Sequence, residues 1–457
     1  MQGVAALWLA VSLASSPPAA PDDLARAEAL LARKDYAAAE ALLREILRAE
    51  PRSVQAHGNL ALALMPQGGA KTREAVDEGR LAAALAPETP EARYIYGLTL
   101  RAAGRPADAV REFAKASSLA PDALGPLDAL AEAYAAGGDD RAIAAYERLL
   151  TLQPARSRYP LSLAGYLWAV GQTERGNAAA SAGLQKFPGD GALHAAYGKA
   201  LFEQQRFADA AKELARARTL GVRDAETLAV LGDSLAQAGR ADEARAVLED
   251  AVREHPDSAP LHLALGRVEL SRGEPEPARS ELARAAELAP QDAGIRLQLG
   301  RAEEAVGRLD EAEASYRRAL ELSPNLASPR YALGRLLVRR GRREEGEKEL
   351  GVYRAQYAKA ARAQSEAEER RGEILLAESE LARGQTAEAL TRLEALPEGA
   401  EVLERRARAL SRLNRHREAV QALERACELR SDDARLQTLL AAERAKVPDP
   451  VPAKGSP

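Results

Sequence analysis

Glycine recurs every 34 residues through the middle of the chain, and this period constrains the fold more than any other sequence feature. The five glycines are Gly198, Gly232, Gly266, Gly300 and Gly334. A fixed period of this length is typical of a solenoid, in which each repeat buries its apolar face only against its neighbours. A chain of 457 residues would otherwise suggest two or three globular domains. We therefore expect one tandem array.

Each repeat carries the pattern of two amphipathic helices, most clearly in residues 225–258. Three leucines spaced i, i+3 and i+7 predict the apolar stripe of the first helix: Leu228, Leu231 and Leu235. Gly239 ends that helix, because glycine adopts the left-handed cap conformation without the cost of a Cβ. A second stripe stops at Pro256, which cannot donate the next backbone hydrogen bond. Aromatic residues are only 4 % of the chain, whereas Ala and Leu are abundant, which also favours an all-α fold.

Gly232 lies inside the first helix, where glycine costs about 1 kcal/mol relative to alanine. Close packing would compensate for this cost. With no side chain at Gly232 and only a methyl group at Ala244, two helix axes can approach to the near end of the usual range, about 8 to 10 Å. We therefore predict a close helix–helix contact at this glycine.

The same pattern recurs elsewhere with aromatic residues at its large positions. One copy consists of Tyr96-Gly97, Leu100, Ala109, Phe113, Ala116 and Pro121. The pattern resembles the tetratricopeptide repeat (TPR), and about twelve such repeats cover nearly the whole chain. The resemblance implies an all-α solenoid, a right-handed superhelix of helix–turn–helix repeats. The first position, bulky in the family, is often polar here: Arg93, His194, His262, Arg296 and Arg330.

This register predicts the domain organisation. Residues 20–433 form the repeat array, 434–446 a C-terminal capping helix that shields the last apolar face, and 447–457 a disordered tail. Extra residues precede the eleventh repeat. This segment, Ala361–Arg371, is charged and has no proline, so we expect a lengthened helix there.

Residues 1–19 have the pattern of a signal peptide. The apolar run Val4–Ala14 is too short to span a bilayer, and small residues with prolines follow it. Cleavage after Ala14 would leave a periplasmic or secreted protein. No Lys or Arg precedes Val4, so an apolar tail or a misplaced start codon, on a cytoplasmic or membrane-associated protein, is the alternative. The excess of Arg over Lys and the abundant Ala are associated with GC-rich bacterial genomes.

In the family that the chain resembles, first helices line the concave face and hold an extended peptide or a helix of a partner protein. The residue after the Leu-Gly pair, and those three and four further on, should point inward. In three successive repeats this register predicts a ladder of arginines, Arg267, Arg301 and Arg335, with Arg339 one turn further on. Guanidinium groups bind carboxylates through two parallel hydrogen bonds, so the ladder would suit an acidic or C-terminal peptide segment. The alternative is a solvated face, with these arginines paired to Glu269, Glu303 or Glu304.

Earlier repeats present apolar residues at the inward positions, which would dock an amphipathic helix. They are Leu62, Leu98, Trp168 and Phe202, with Tyr94 and Leu161 one turn before. The alternative is that some of them, Leu62 and Leu98 above all, belong to the core between repeats.

Composition argues against other classes of function. With 64 basic and 68 acidic residues, the chain lacks the basic excess that nucleic acid binding requires. Its one cysteine, Cys427, excludes an internal disulfide and a Cys-rich zinc site. The five histidines are scattered, and no GxGxxG, Walker A or GxSxG motif occurs. We predict no catalytic residue, metal site, cofactor or small-molecule substrate.

The sequence therefore predicts a non-enzymatic scaffold that binds peptide or helical segments of other proteins. A structural subunit of a bacterial envelope complex, in secretion, pilus or outer-membrane assembly, is the alternative. The two differ in whether the partner occupies the groove or the outer surface.

Overall fold

The computed structural model describes residues 21–430 and 433–447. These residues form twenty-four α-helices and a short 3-10 turn (Met65–Gln67), with no β-strand among them. The predicted all-α TPR solenoid is confirmed. The predicted signal segment, residues 1–19, and all of the predicted tail except Val447 lie outside the described residues.

The chain divides into two compact units. Unit 1 extends to Ala179 and includes Arg430–Ala442, and unit 2 comprises Ala180–Leu429 and continues from Glu443. The helices within unit 1 are α1 (Pro21–Ala32), α2 (Tyr36–Ala49), α3 (Val54–Leu64), α4 (Ala70–Leu85), α5 (Pro90–Ala102), α6 (Pro106–Leu119), α7 (Leu124–Ala136), α8 (Arg141–Leu152) and α9 (Arg158–Ala169).

Two helices have residues in both units, α10 (Thr173–Lys186) and α24 (Ala434–Arg444). The helices within unit 2 are α11 (Gly191–Glu203), α12 (Phe207–Thr219), α13 (Ala225–Gln237), α14 (Ala241–Glu254), α15 (Ala259–Arg272), α16 (Pro275–Leu288), α17 (Ala293–Ala305), α18 (Leu309–Leu322), α19 (Ala327–Arg339), α20 (Arg343–Ala382), α21 (Thr386–Glu394), α22 (Ala400–Arg412) and α23 (His416–Leu429).

The turn inside most repeats has one residue in the left-handed backbone region. Gly239 takes this conformation with φ +79°, as predicted, and so do the matching glycines of seven other repeats. In three repeats a residue other than glycine occupies the same place: Lys34, Gln205 and Asn414. The turn geometry therefore persists even where a Cβ opposes it, at about 1 to 2 kcal/mol for each such residue.

The predicted close contact at Gly232 is confirmed, but the residue that fills the space differs from the expectation. A Cβ added to Gly232 would lie 2.4 Å from Leu248 Cγ. In unit 1 the equivalent Gly97 faces the ring of Phe113 in the same way. Ala244 is fully buried, yet a large side chain one turn beyond it covers the glycine. Each of these glycines thus receives the largest buried residue of the second helix.

The polar residues at the family's bulky first position make a recurrent set of hydrogen bonds. His262 places Nδ1 2.6 Å from Glu281 Oε2 and Nε2 2.9 Å from the carbonyl oxygen of Pro256. Arg330 donates in the same way to Glu349 Oε2 at 2.6 Å and to the carbonyl oxygen of Pro324 at 2.8 Å. His57, His194 and Arg93 repeat the arrangement. A hydrogen-bonded corner therefore replaces an apolar one and ties both helices to the preceding loop.

Helix α20 is forty residues long and joins the second helix of the tenth repeat to the first helix of the eleventh. It contains all of Ala361–Arg371, so the predicted lengthened helix is confirmed. Every residue from 357 to 372 is exposed. Across the described parts of the chain, no helix combines the length and apolar character that crossing a membrane requires.

Candidate protein-binding surface

The first helices of unit 2 carry a row of charged residues at intervals of 34. The row consists of Lys199, Asp233, Arg267, Arg301 and Arg335, on α11, α13, α15, α17 and α19. It includes the three arginines of the predicted ladder. It also includes an acidic member, Asp233, which was not among the predicted inward residues.

Arg267 already has a carboxylate partner within its own chain. Its Nη1 lies 3.3 Å from Oδ2 of Asp233, one repeat earlier, and the Asp233 side chain is 18 % exposed. Burial raises the pKa of the Asp233 carboxyl above its usual range, and the charge of Arg267 opposes part of that rise. The 34-residue interval between the two residues is the sequence signal that could have identified this pair.

Arg339 is paired too, whereas Arg301 and Arg335 are not. Arg339 Nη1 lies 3.0 Å from Glu304 Oε1, one of the partners that the solvated-face alternative named. Arg301 and Arg335 are exposed, and neither has a carboxylate within 4 Å among the described residues. Arg301 donates to Gln298 Oε1 at 3.5 Å, and the Arg335 guanidinium lies 5.8 Å from the ring centroid of Tyr331. Two of the four predicted arginines thus keep free hydrogen-bonding capacity.

Tyr331, which lies under the Arg335 guanidinium, is the first of three tyrosines in a row of ring contacts. The rings of Tyr331 and Tyr353 are 5.1 Å apart, and those of Tyr353 and Tyr357 are 6.2 Å apart. Tyr331 is 42 % exposed and Tyr357 66 %. None of the three was predicted as a binding residue: Tyr331 lies on α19, four residues before Arg335, whereas Tyr353 and Tyr357 lie on α20. We call Arg301, Arg335, Tyr331, Tyr353 and Tyr357 the Arg–Tyr surface.

The predicted apolar binding residues of unit 1 are mostly part of the core. Tyr94 and Leu98 are 9 % and 7 % exposed and belong to one buried cluster. Little of either side chain is exposed to a ligand. The structure therefore favours the alternative interpretation, in which both belong to the core between repeats. Leu62 is half-buried and packs against the same cluster.

Trp168 and Phe202 are half-buried. The indole Nε1 of Trp168 donates to Asn177 Oδ1 at 3.0 Å, and the ring covers Gly176. Phe202 makes an edge-to-face contact with Phe207 at 5.5 Å. Their role in binding stays a prediction.

Four charged residues on the first helices α5, α7 and α9 of unit 1 form a network of ion pairs. Arg158 lies 3.1 Å from Asp128 and 2.8 Å from Glu132, and Glu132 also accepts from Arg101 at 3.2 Å. Burial raises the pKa of Asp128, and Arg158 opposes the rise. Burial also raises the pKa of neighbouring Tyr146 to about 12. Each arginine of this network has a carboxylate partner in its own chain.

The remaining histidines are held by the protein itself. His255 Nε2 lies 2.7 Å from the carbonyl oxygen of Arg223, and His416 Nδ1 lies 2.7 Å from Glu443 Oε1. In the part of the chain that the structure describes, no group of three His, Cys, Asp or Glu is arranged to hold a metal ion.

Comparison with protein families gives matches along most of the array. Models described as tetratricopeptide repeat match residues 24–90, 161–222, 196–259, 235–299, 303–366 and 400–433. Together they span more than half of the chain. No curated protein matches it.

Solved structures of TPR proteins are similar to parts of the chain. MamA (41-end) from Desulfovibrio magneticus RS-1 is 20 % identical and covers 37 % of this chain and 96 % of its own, with a TM-score of 0.34. YrrB, titled a TPR protein with an unusual peptide-binding site, is 16 % identical and covers 41 % of this chain and 96 % of its own, with a TM-score of 0.36. TTC0263, a thermophilic TPR protein of Thermus thermophilus, is 26 % identical and covers 40 % of this chain and 100 % of its own, with a TM-score of 0.34.

Proposed function

The chain belongs to the tetratricopeptide repeat family, and we propose that it is a non-enzymatic scaffold that binds an acidic segment of a partner protein at the Arg–Tyr surface. The observation that carries the proposal is the contrast among the ladder arginines. Arg267 and Arg339 have carboxylate partners within the chain, whereas Arg301 and Arg335 are exposed without one among the described residues.

The chemistry of the surface selects the partner. A guanidinium group donates several hydrogen bonds in a planar fork that matches a carboxylate. The exposed rings of Tyr331 and Tyr357 offer apolar area with a hydroxyl at the edge, a combination frequent where proteins bind one another. A segment with acidic residues next to an apolar one satisfies both groups.

The test uses the full chain and two fluorescent peptides. One is rich in glutamate with a single leucine, and the other has glutamine at each glutamate position. We expect the glutamate peptide to bind more tightly, with an affinity that falls as salt is added. Changing both Arg301 and Arg335 to Ala should weaken its binding about tenfold or more, since hydrogen bonds to charged groups contribute about 1.5 to 3 kcal/mol.

Arg253→Ala is the matched control, because Arg253 lies on the second helix α14 and its side chain is 73 % exposed. This variant should bind the glutamate peptide like the wild type. Equal affinity for the two peptides, or equal loss in the control and the double variant, would contradict the proposal. Crosslinking in the native host, followed by identification of the captured protein, then names the partner.

Export to the periplasm is a separate proposal that rests on the apolar run Val4–Ala14. N-terminal sequencing of the protein from its host tests it. A chain that begins after Ala14 supports export, and a chain that retains Val4–Ala14 contradicts it.

A further inference from the structure

The middle of α20 lacks the packing that other repeat boundaries of unit 2 have. From α12 to α19, each second helix packs against the first helix of the following repeat. At α20 these two helices are one continuous helix, so that contact cannot form within the chain. Leu376 is consequently 51 % exposed, whereas the equivalent Leu299 and Leu333 are 6 % and 3 % exposed.

The exposed part of α20 carries a stripe of charges that reverses sign halfway. Lys359, Arg362, Glu366 and Glu369 are spaced 3, 4 and 3 residues apart, which places them on one face of the helix. None of the four has an ion-pair partner within 4 Å among the described residues. The basic pair comes first and the acidic pair second.

The same spacing continues outward from the charges to an apolar residue at each end. Before Lys359 the stripe runs through Ala355 to Val352, and after Glu369 it runs through Glu373 to Leu376. Each of these steps is 3 or 4 residues long. Val352 is 39 % exposed. A stripe with alternating steps of 3 and 4 residues is the pattern through which two helices pair along their length.

We propose that two copies of this chain pair through α20 in antiparallel orientation, with the two-fold axis near Gln364. In an antiparallel pair, residues at equal distances on either side of the axis face one another. Lys359 of one copy then meets Glu369 of the other, and Arg362 meets Glu366. Val352 and Leu376 meet at both ends.

The order of the charges along the stripe determines which partner fits it and in which orientation. A parallel pair would place each lysine, arginine and glutamate against itself, which is repulsive. An isologous two-fold contact requires a self-complementary surface, and this stripe is self-complementary only in the antiparallel sense. The partner that fits it is therefore a second copy. Glu373 stays bound to Arg392 of its own chain and faces only Ala355 of the other.

The first test is the molar mass of the full chain in solution. Sedimentation equilibrium at tens of micromolar protein and low salt should show a dimer that weakens as salt is added. Glu366→Lys places like charges at two symmetric contacts and should raise the dimer dissociation constant about tenfold. Adding Arg362→Glu to that variant restores opposite charges and should restore the dimer.

Glu368→Lys is the matched control, since it makes the same charge change on the opposite side of the helix. It should leave the dimer unchanged, and circular dichroism should show equal helix content in all variants. A monomeric wild type would overturn the proposal. So would equal effects of Glu366→Lys and Glu368→Lys, or failure of Arg362→Glu to restore the dimer.

The second test measures orientation with spin labels in a Cys427→Ser background. Labels at Gln364→Cys lie near the axis and should be separated by about 20 to 30 Å in the dimer. Labels at Lys348→Cys, sixteen residues away, should be separated by about 48 Å or more, because the helix rises about 1.5 Å per residue. If the labels at Lys348→Cys were as close to one another as those at Gln364→Cys, the two helices would be parallel, which would contradict the proposal.

Discussion

In unit 1 the arginines of the network on the first helices are paired with carboxylates, whereas in unit 2 two ladder arginines are not. Arg101 and Arg158 share Glu132, and Arg158 also contacts Asp128. Arg301 and Arg335 lie on the same kind of helix, yet they have no carboxylate partner among the described residues. The two faces share a backbone and a repeat register but differ in what their charges can still bind.

This difference separates stabilising charges from available ones. An arginine that holds a half-buried carboxylate such as Asp128 contributes to folding, because the carboxylate would otherwise be left without a partner. An exposed arginine without a partner contributes little to folding, and its hydrogen bonds stay free for a ligand. A repeat array can therefore vary its surface while keeping its core.

The largest expected effect tests whether the scaffold is the same in both units. Gly97→Ala and Gly232→Ala each place a Cβ 2.4 Å from a buried side chain. Overpacking of this kind costs about 1 to 3 kcal/mol in the free energy of unfolding, and we expect similar losses in the two units. Denaturant unfolding followed by circular dichroism measures them.

Gly165→Ala is the control for that pair, because a Cβ there has no side chain or neighbouring helix within 4 Å. Gly165 lies inside α9, where alanine should stabilise the chain by about 0.5 to 1 kcal/mol. A loss in only one of the two units would show that the glycine contact is not a shared element of the scaffold.

The next effect addresses the charged faces directly. Arg158→Ala should lower the free energy of unfolding by about 1 to 2 kcal/mol, since Asp128 and Glu132 lose their shared donor. Arg301→Ala and Arg335→Ala should change it by less than about 0.5 kcal/mol. Thermal unfolding of the three variants side by side measures this contrast. Equal losses at Arg158 and Arg335 would remove the distinction between the two faces.

The smallest effect is a pH dependence at Asp233. Burial holds its pKa above the usual value of 3.8, so the folded chain binds the proton more tightly than the unfolded chain does. The contribution of this group to stability is full below pH 3.8 and declines as the pH rises through the folded pKa. Relative to Asp233→Asn, the wild type should therefore gain stability on acidification from neutral pH. If the difference in stability between the wild type and Asp233→Asn were the same at every pH, the raised pKa of Asp233 would be contradicted.

Short-range patterns made the helices and turns predictable. Gly239 and the lengthened helix at Ala361–Arg371 were identified from local chemistry, because cap conformation and helix continuation depend on neighbouring residues. The polar corner at His262 was not predicted, although Glu281 follows it at a spacing of 19 that recurs in other repeats. A single histidine or arginine does not reveal which distant glutamate its hydrogen bonds will reach.

The candidate surface was predicted only in part. The register placed Arg267, Arg301 and Arg335 at equivalent positions, but it could not show that Asp233 occupies the hydrogen bonds of Arg267. Tyr94 and Leu98 follow the same register as the exposed residues, yet neighbouring side chains bury them. Periodicity determines the position of a residue along a helix, whereas burial depends on what the next helices place against it.

The sequence by itself determined that this chain is an all-α tetratricopeptide repeat array with a long helix before its eleventh repeat. The tertiary structure alone decided which arginines are paired, which apolar residues are core, and that residues 357 to 372 of α20 are exposed. Helix periodicity and turn chemistry depend on residues a few positions apart, so the sequence of a single repeat is enough to recognise them. Ion pairing and burial depend on atoms roughly 20 to 35 residues apart along the chain, and only the folded arrangement brings those atoms together.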